Sequence, residues 1–125
     1  MNSRNGVTGQ IEIDVRTSEI DPYNIAHHSN YLIWYELGRE KYMREFMQNW
    51  VQQINLYGTT KRLEYFKARY SNPVHMGDQL TVDTFLEKQM EIKDKVIFWF
   101  KQKIRNKNTG KVVNICSSRV SFIIR

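Results

Sequence analysis

The chain of 125 residues is poor in the residues that staple or punctuate a fold: one cysteine, two prolines and six glycines. With Cys116 alone, no intrachain disulfide can close and no cysteine-based zinc cluster can assemble, and a reducing, cytoplasmic setting is the natural expectation. So little proline and glycine excludes a collagen-like or low-complexity chain. Long hydrophobic runs are missing as well. No stretch approaches the ~20 apolar residues of a membrane-spanning helix. Met1–Gly6 carries charge with no apolar run behind it, unlike a secretory leader, so neither membrane insertion nor export is expected. The length excludes a TIM barrel of ~250 residues and fits one domain, 1–125, built on one core of ~100–150 residues. What is present is ordinary globular usage, 41% apolar and 26% charged, which excludes disorder.

Acidic residues are in deficit: 19 Lys and Arg face 13 Asp and Glu, a net charge of +6. That balance favours polyanionic partners. The cations are spread along the chain, however, at Lys61 and Arg62, at Lys67 and Arg69, and at Lys101, Lys103, Arg105 and Lys107. A nucleic-acid binder gathers its charge in one motif, and no helix-turn-helix, zinc-finger or RNP pattern occurs. A solvated basic surface is the simpler reading, and nucleic acid is not expected as a partner.

Residues 1–9 are polar and read as a frayed end. Gln10–Thr17 alternates, with Ile11, Ile13 and Val15 on one face of a strand. Residues 18–28 read as a loop around Pro22. Ser29–Gln48 carries helical spacing: Tyr31, Trp34, Tyr35, Gly38, Tyr42 and Phe46 form an apolar stripe. Leu32, Leu37, Met43 and Met47 widen it, which predicts a helix embedded on most sides. Gly38 costs about 1 kcal/mol against Ala inside a helix, so another backbone is expected to approach there. A short second helix is expected within Trp50–Leu56. Strands follow at Thr60–Tyr70, Leu80–Lys88, Val96–Arg105 and Lys111–Ile124. A turn near Gln89–Asp94 and the hairpin signal Asn106–Gly110 separate the last three. The order predicts an α+β fold in which a four-strand meander curls around one helix.

The chemistry concentrates in Glu19-Ile20-Asp21-Pro22-Tyr23-Asn24-Ile25-Ala26-His27-His28-Ser29-Asn30-Tyr31. Two carboxylates two residues apart face one side if extended, and their repulsion can raise one pKa into the range of a base. A helix start follows, where free backbone N–H groups and the positive dipole end suit a developing oxyanion. The bland alternative is a pair of solvated loop acids beside an ordinary helix end. His27 and His28 are adjacent and diverge, and His75 is distant, so no metal is expected. Tyr31, Trp34, Tyr35 and Tyr42 read as core, with Tyr31 the one placed to touch a ligand. Cys116 reads as a buried thiol. Lys88, Lys93 and Lys95 flank a hairpin and are candidates to meet phosphates.

Asp21–Arg39 resembles the 4-hydroxybenzoyl-CoA thioesterase-like branch of the hotdog-fold acyl-CoA thioesterases. A second block, Tyr70-Ser71-Asn72-Pro73-Val74-His75-Met76-Gly77-Asp78, is similar to that family's Y-x-x-P-x-x-x-G-D. Together the blocks carry the resemblance over residues 10–124. The resemblance implies a hotdog fold, an antiparallel five- or six-stranded sheet wrapped around one long central helix. It also implies hydrolysis of an acyl-CoA or acyl-carrier thioester without a cofactor, in a site shared within a homodimer or homotetramer. It places the catalytic carboxylate on Asp21, as general base or nucleophile. The carbonyl-polarising backbone N–H falls on His28, and Glu19, Asn24 and Tyr31 lie around the substrate. Asn24 stands where the family has glycine, a residue type that still reaches positive φ. Thr17 stands where many relatives have tyrosine. Three other functions compete. A hydroxyacyl dehydratase needs a His-Phe-Pro type sequence that is absent here; a non-catalytic acyl-CoA binder has no use for Asp21; and a nucleic-acid module lacks its motif.

Overall fold

The computed structural model describes residues 7–15, 28–58 and 60–124, with the backbone alone at His28 and Ser29. In chain order the elements are β1 (Gly9–Asp14), α1 (His28–Phe46), α2 (Gln48–Val51), β2 (Arg62–Tyr70), β3 (Gln79–Ile92), β4 (Lys95–Asn106) and β5 (Val112–Ile123). The class is α+β, as expected. All pairings are antiparallel and the strand order is β1-β3-β4-β5-β2. The expected four-strand meander is therefore corrected. Only β3, β4 and β5 form a meander, and β2 crosses to the far edge beside β5. Alternation along β2 reports which side chains face the core, not which strand lies next to it.

The helix touches every strand. Tyr42 Oη donates to the Val7 carbonyl just before β1, at 3.2 Å, and Tyr35 lies against Phe66 of β2. Gly38 faces Val82 and Thr84 of β3 and Gln102 of β4. Tyr35 Oη also donates to Asn114 Oδ1 of β5 at 2.5 Å. Contact with all five strands is what a sheet curled around a helix requires. It buries Trp34, Tyr35, Met43, Phe98, Phe100 and Phe122 almost completely, each large apolar side chain contributing roughly 1.5–3 kcal/mol on leaving water.

Several boundaries shift. Residues 7–9 are tied in rather than frayed, since β1 begins at Gly9 and pairs with Thr84. The first helix ends at Phe46 because Met47 leaves helical backbone (φ −129°, ψ 42°), and α2 lies earlier than expected, at Gln48–Val51. β3 runs to Ile92 past a bulge between Leu86 and Lys88, and a tight turn at Lys93-Asp94 replaces the longer one expected. The run Lys88–Glu91 resembles a turn because its side chains on β3 stay largely exposed, while the core at this end is supplied by Val96 and Phe98 opposite them on β4. Lys93 takes a left-handed φ of 57° there. In this single chain the helix is not embedded on most sides, for Leu32, Ile33 and Leu37 are more than two-fifths exposed.

Candidate functional site

The two sequence blocks, some distance apart in the chain, meet at one end of the sheet. Residues 71–78, nearly all of the second block, connect β2 to β3 there. Ser71 N–H donates to the Val113 carbonyl at 2.8 Å, and Asn72 Nδ2 donates to the Val112 carbonyl at 2.6 Å, which pins the loop to the start of β5. Its other end turns tightly. Asp78 N–H donates to the His75 carbonyl at 3.1 Å, and His75 N–H donates to Asp78 Oδ2 at 2.8 Å. Gly77, with φ 87°, occupies the third position of this turn, where a type II geometry needs positive φ. Val15 N–H then donates to the Asp78 carbonyl at 3.0 Å. Pro-x-x-x-Gly-Asp is thus a clamp on the end of β1.

From Val15 the chain enters the segment that holds Glu19, Asp21 and Asn24, and it returns at His28, the first residue of α1. Glu19, Asp21 and Asn24 lie outside the described residues. The structure brings both ends of their segment to the same place: Val15 on the clamp, and the first turn of α1 against the end of β2. Tyr31 and Tyr70 meet edge to face at 5.0 Å, and Tyr31 and Trp34 at 5.2 Å. No acidic residue lies in the first turn of α1, so its own side chains leave the positive dipole end unneutralised.

Burial pushes the Tyr31 phenol up to about 12, with Tyr70 adding to it; burial pushes Tyr35 higher still. Both are neutral donors at physiological pH. Tyr31 is 4% exposed and sits in the core cluster with Trp34, Tyr35, Val74 and Ile104. Tyr42 belongs to the opposite cluster, so Tyr31, Trp34, Tyr35 and Tyr42 all pack as core, whereas Phe46 is exposed. Glu36 pairs with Lys61, which also reaches Glu40 at 3.4 Å.

Beneath Gly38 lies a polar knot that sequence reasoning did not assemble. Gln102 Nε2 donates to the Tyr35 carbonyl and to Thr84 Oγ1, each at 2.9 Å, and its Oε1 accepts from Arg39 at 3.2 Å. A Cβ on Gly38 would lie 2.9 Å from Val82 Cγ1 and 3.0 Å from Gln102 Nε2. The close neighbours are therefore side chains, not the backbone expected. Burial lowers the Arg39 pKa, opposed by Cys116 and by Glu36 and Glu40. Burial also raises the Cys116 thiol to about 12, despite Arg39 nearby, so it is no nucleophile at neutral pH. The signal for the knot was Gln102 itself, a polar residue in phase with Val96, Phe98 and Phe100. Among the described residues no group of three or more metal-ligating side chains converges. None of their helices is long and apolar enough to cross a membrane.

Of the three lysines expected to await phosphates, Lys95 is engaged by Glu64 at 3.2 Å, and Lys88 lies over the Trp99 ring at 4.5 Å.

With this geometry in hand, comparison with known proteins is specific. The family model of the thioesterase-like superfamily matches residues 15–125. A putative acyl-CoA thioesterase of Bacillus subtilis (strain 168), YneP, is 31% identical over 78 residues, 61% of this chain. That match spans 54% of the relative, so the chain covers about half of its length. Among solved structures, a probable thioesterase from Bartonella henselae superposes with TM-score 0.72 at 15% identity, covering 95% of this chain and 94% of that one. A DHNA-CoA thioesterase from Staphylococcus aureus superposes with TM-score 0.70 at 21% identity, covering 94% and 73%. At these identities the likeness is one of fold, the helix-wrapped five-stranded hotdog architecture.

Proposed function

The chain belongs to the thioesterase-like superfamily, and from that membership we propose that it hydrolyses an acyl-CoA or acyl-carrier thioester to the free acid and thiol. The observation that carries the reading is the convergence of the two blocks. The Val15–Asp78 clamp and the Tyr31–Tyr70 contact hold both ends of the Asp21 segment beside the start of α1.

Asp21 either takes a proton from a water that attacks the thioester carbon, or attacks that carbon itself to form a mixed anhydride that water then hydrolyses to the free acid. The carbonyl oxygen gains charge as the tetrahedral intermediate forms. The backbone N–H at His28 and the unneutralised helix dipole stabilise it. Collapse expels the thiolate. Glu19, Asn24 and Tyr31 border the acyl group, Tyr31 through its buried ring. No metal or cofactor enters this scheme.

The active form in this reading is a homodimer or homotetramer. β1 and β2 are the sheet edges, and an unpaired edge invites another strand. β2 also exposes Leu63, Tyr65 and Tyr70, while α1 exposes Leu32, Ile33 and Leu37. Pairing of β2 across a two-fold axis would extend the sheet and cover such side chains. Light scattering should give two or four times the monomer mass; a monomer with full activity would overturn the shared site. For the chemistry, release of free thiol from a panel of acyl-CoAs is the test. Turnover that is lost in a folded Asp21→Asn protein supports the scheme. Binding of acyl-CoA without turnover by the unmodified protein would make it a non-catalytic acyl-CoA binder instead.

A further inference from the structure

The cations that look scattered along the sequence are gathered by the sheet. On the face turned away from α1, Lys101 of β4 and Lys67 of β2 are both in register with Ser117 of β5. Two residues further along, Lys103 and Arg69 are both in register with Ile115. Strand spacing sets these four side chains at the corners of a rectangle of about 10 by 7 Å. Lys101 Nζ donates to Ser117 Oγ at 2.9 Å. Three neighbouring cations are ion-paired. Arg105 pairs with Asp83 at 2.6 Å, and Arg119 with Glu64 at 3.3 Å. Lys107, in the following turn, pairs with Glu12 at 3.0 Å. Asp83 lies beside Lys103 but is held by Arg105 and by Gln10. None of the four corner cations has a carboxylate within ion-pair distance among the described residues. Two hollows flank Ile115. One, of about 300 Å³, is lined by Lys67, Arg69 and Ser117. The other, of about 340 Å³, is lined by Lys101, Lys103 and Phe85 and by Asp83, whose carboxylate is held by Arg105.

We propose that this outer face, centred on Ser117 and Ile115, binds the phosphate groups of a nucleotide-sized ligand, with Lys67, Arg69, Lys101 and Lys103 as its cations. The rectangle matches two or three phosphates rather than a long polyanion. A nucleic-acid strand needs a basic track, and here Arg105 and Arg119, beyond the two ends of the rectangle, are already ion-paired. Phe85 gives the second hollow an apolar wall against which a base can rest. The phosphates can come from the nucleotide end of CoA, in which case the inference extends the function proposed above, or from a free nucleotide acting elsewhere than at the reacting carbonyl.

Calorimetric titration separates these cases without any hydrolysis. The ligands are CoA, adenosine 3′,5′-bisphosphate, ATP and inorganic tripolyphosphate, each at low and at raised ionic strength. The paired variant Arg69→Glu with Lys103→Glu should weaken binding about tenfold or more, because it reverses two of the four charges. A control with Lys107→Glu and Lys111→Glu changes net charge equally and should leave binding within about twofold. Preference for CoA and the bisphosphate assigns the site to the substrate's own nucleotide. Equal or tighter binding of ATP or tripolyphosphate assigns it to a free nucleotide. Equal weakening in both paired variants, or no binding of any of the four ligands, overturns the site. Asp21→Asn should leave the titrations with the bisphosphate, ATP and tripolyphosphate unchanged, so failure of the catalytic scheme and failure of this site read out separately.

Discussion

The two ends of α1 are packed in opposite ways. Toward its start, Tyr31, Trp34 and Tyr35 sit among Val74, Ile104 and Cys116, and polar groups are threaded through: Asn114, Gln102, Thr84 and Arg39 are all buried. Toward its end, Tyr42, Met43 and Met47 meet Leu86, Val96, Phe98, Phe100, Val120 and Phe122, an apolar and largely aromatic cluster. A buried polar group costs stability unless it is hydrogen-bonded. The first end bears that cost almost fully satisfied, yet Asn114 Nδ2 is buried with no hydrogen-bond partner among the described residues. Toward the second end buried polar groups are fewer, though Ser118 Oγ, in register with Phe100, is likewise unpartnered among the described residues. Stability is concentrated at one end, and the end with the clamp and the helix start carries the groups that constrain position.

The sharpest way to break this comparison is to change one residue at each end. Asp21→Asn should lower kcat about 100-fold or more, the scale of a lost general base or nucleophile, with an unchanged urea midpoint. His28→Ala should lose less, since alanine keeps the backbone N–H. Equal losses would give the imidazole a direct part. Phe98→Ala, at the dry end, should do the reverse. Phe98 is fully buried and lies 5.7 Å from Trp50 and 6.2 Å from Phe100. Its truncation should cost about 3–5 kcal/mol in urea unfolding and leave kcat of the folded fraction intact. A large loss of kcat there, with stability preserved, would end the division of labour between the two ends.

Gly38 marks the border. Alanine is the better helix former by about 1 kcal/mol, but Gln102 is pinned by its bonds to Tyr35 and Thr84 and cannot retreat from a new methyl group. Overpacking of this kind costs typically 1–3 kcal/mol, so Gly38→Ala should destabilise by about 1 kcal/mol. A stabilised variant would show that the knot yields.

A further effect is confined to alkali. Burial holds the Cys116 thiol at about 12 in the folded chain, against an ordinary value of 9.0. A pKa raised on folding gives stability that is intact below the unfolded value and is lost as pH climbs through the folded one. Unfolding free energy should therefore fall between about pH 9 and 12, with the phenol of Tyr31 contributing over the upper part. Cys116→Ala should flatten that slope. An unchanged slope would remove the thiol from it, and fast modification of Cys116 by a thiol reagent near neutral pH would contradict its burial.

Much of this was legible beforehand. Alternation in β1, β3, β4 and β5 and the long period of α1 report local burial, and local burial is what a sequence pattern records. Pro73, Gly77 and Asp78 announced a turn and a family block. The chemistry of the Asp21 segment was legible as a residue pattern, but its surroundings were not, because Tyr70 and Val15 join it only through the clamp. Gln102 was visible as a polar residue in an apolar row, without its partners on α1 and β3.

By itself the sequence determined the α+β class, the helix and the strands, since each follows from side-chain type and spacing along the chain. Tertiary structure alone decided that β2 lies beside β5, that Gly38 makes room for Gln102, and that Lys67, Arg69, Lys101 and Lys103 share one face. Those outcomes depend on which strands pair and in which register. Register is a property of two segments together, fixed by the packing of both against the helix, and no single segment carries it.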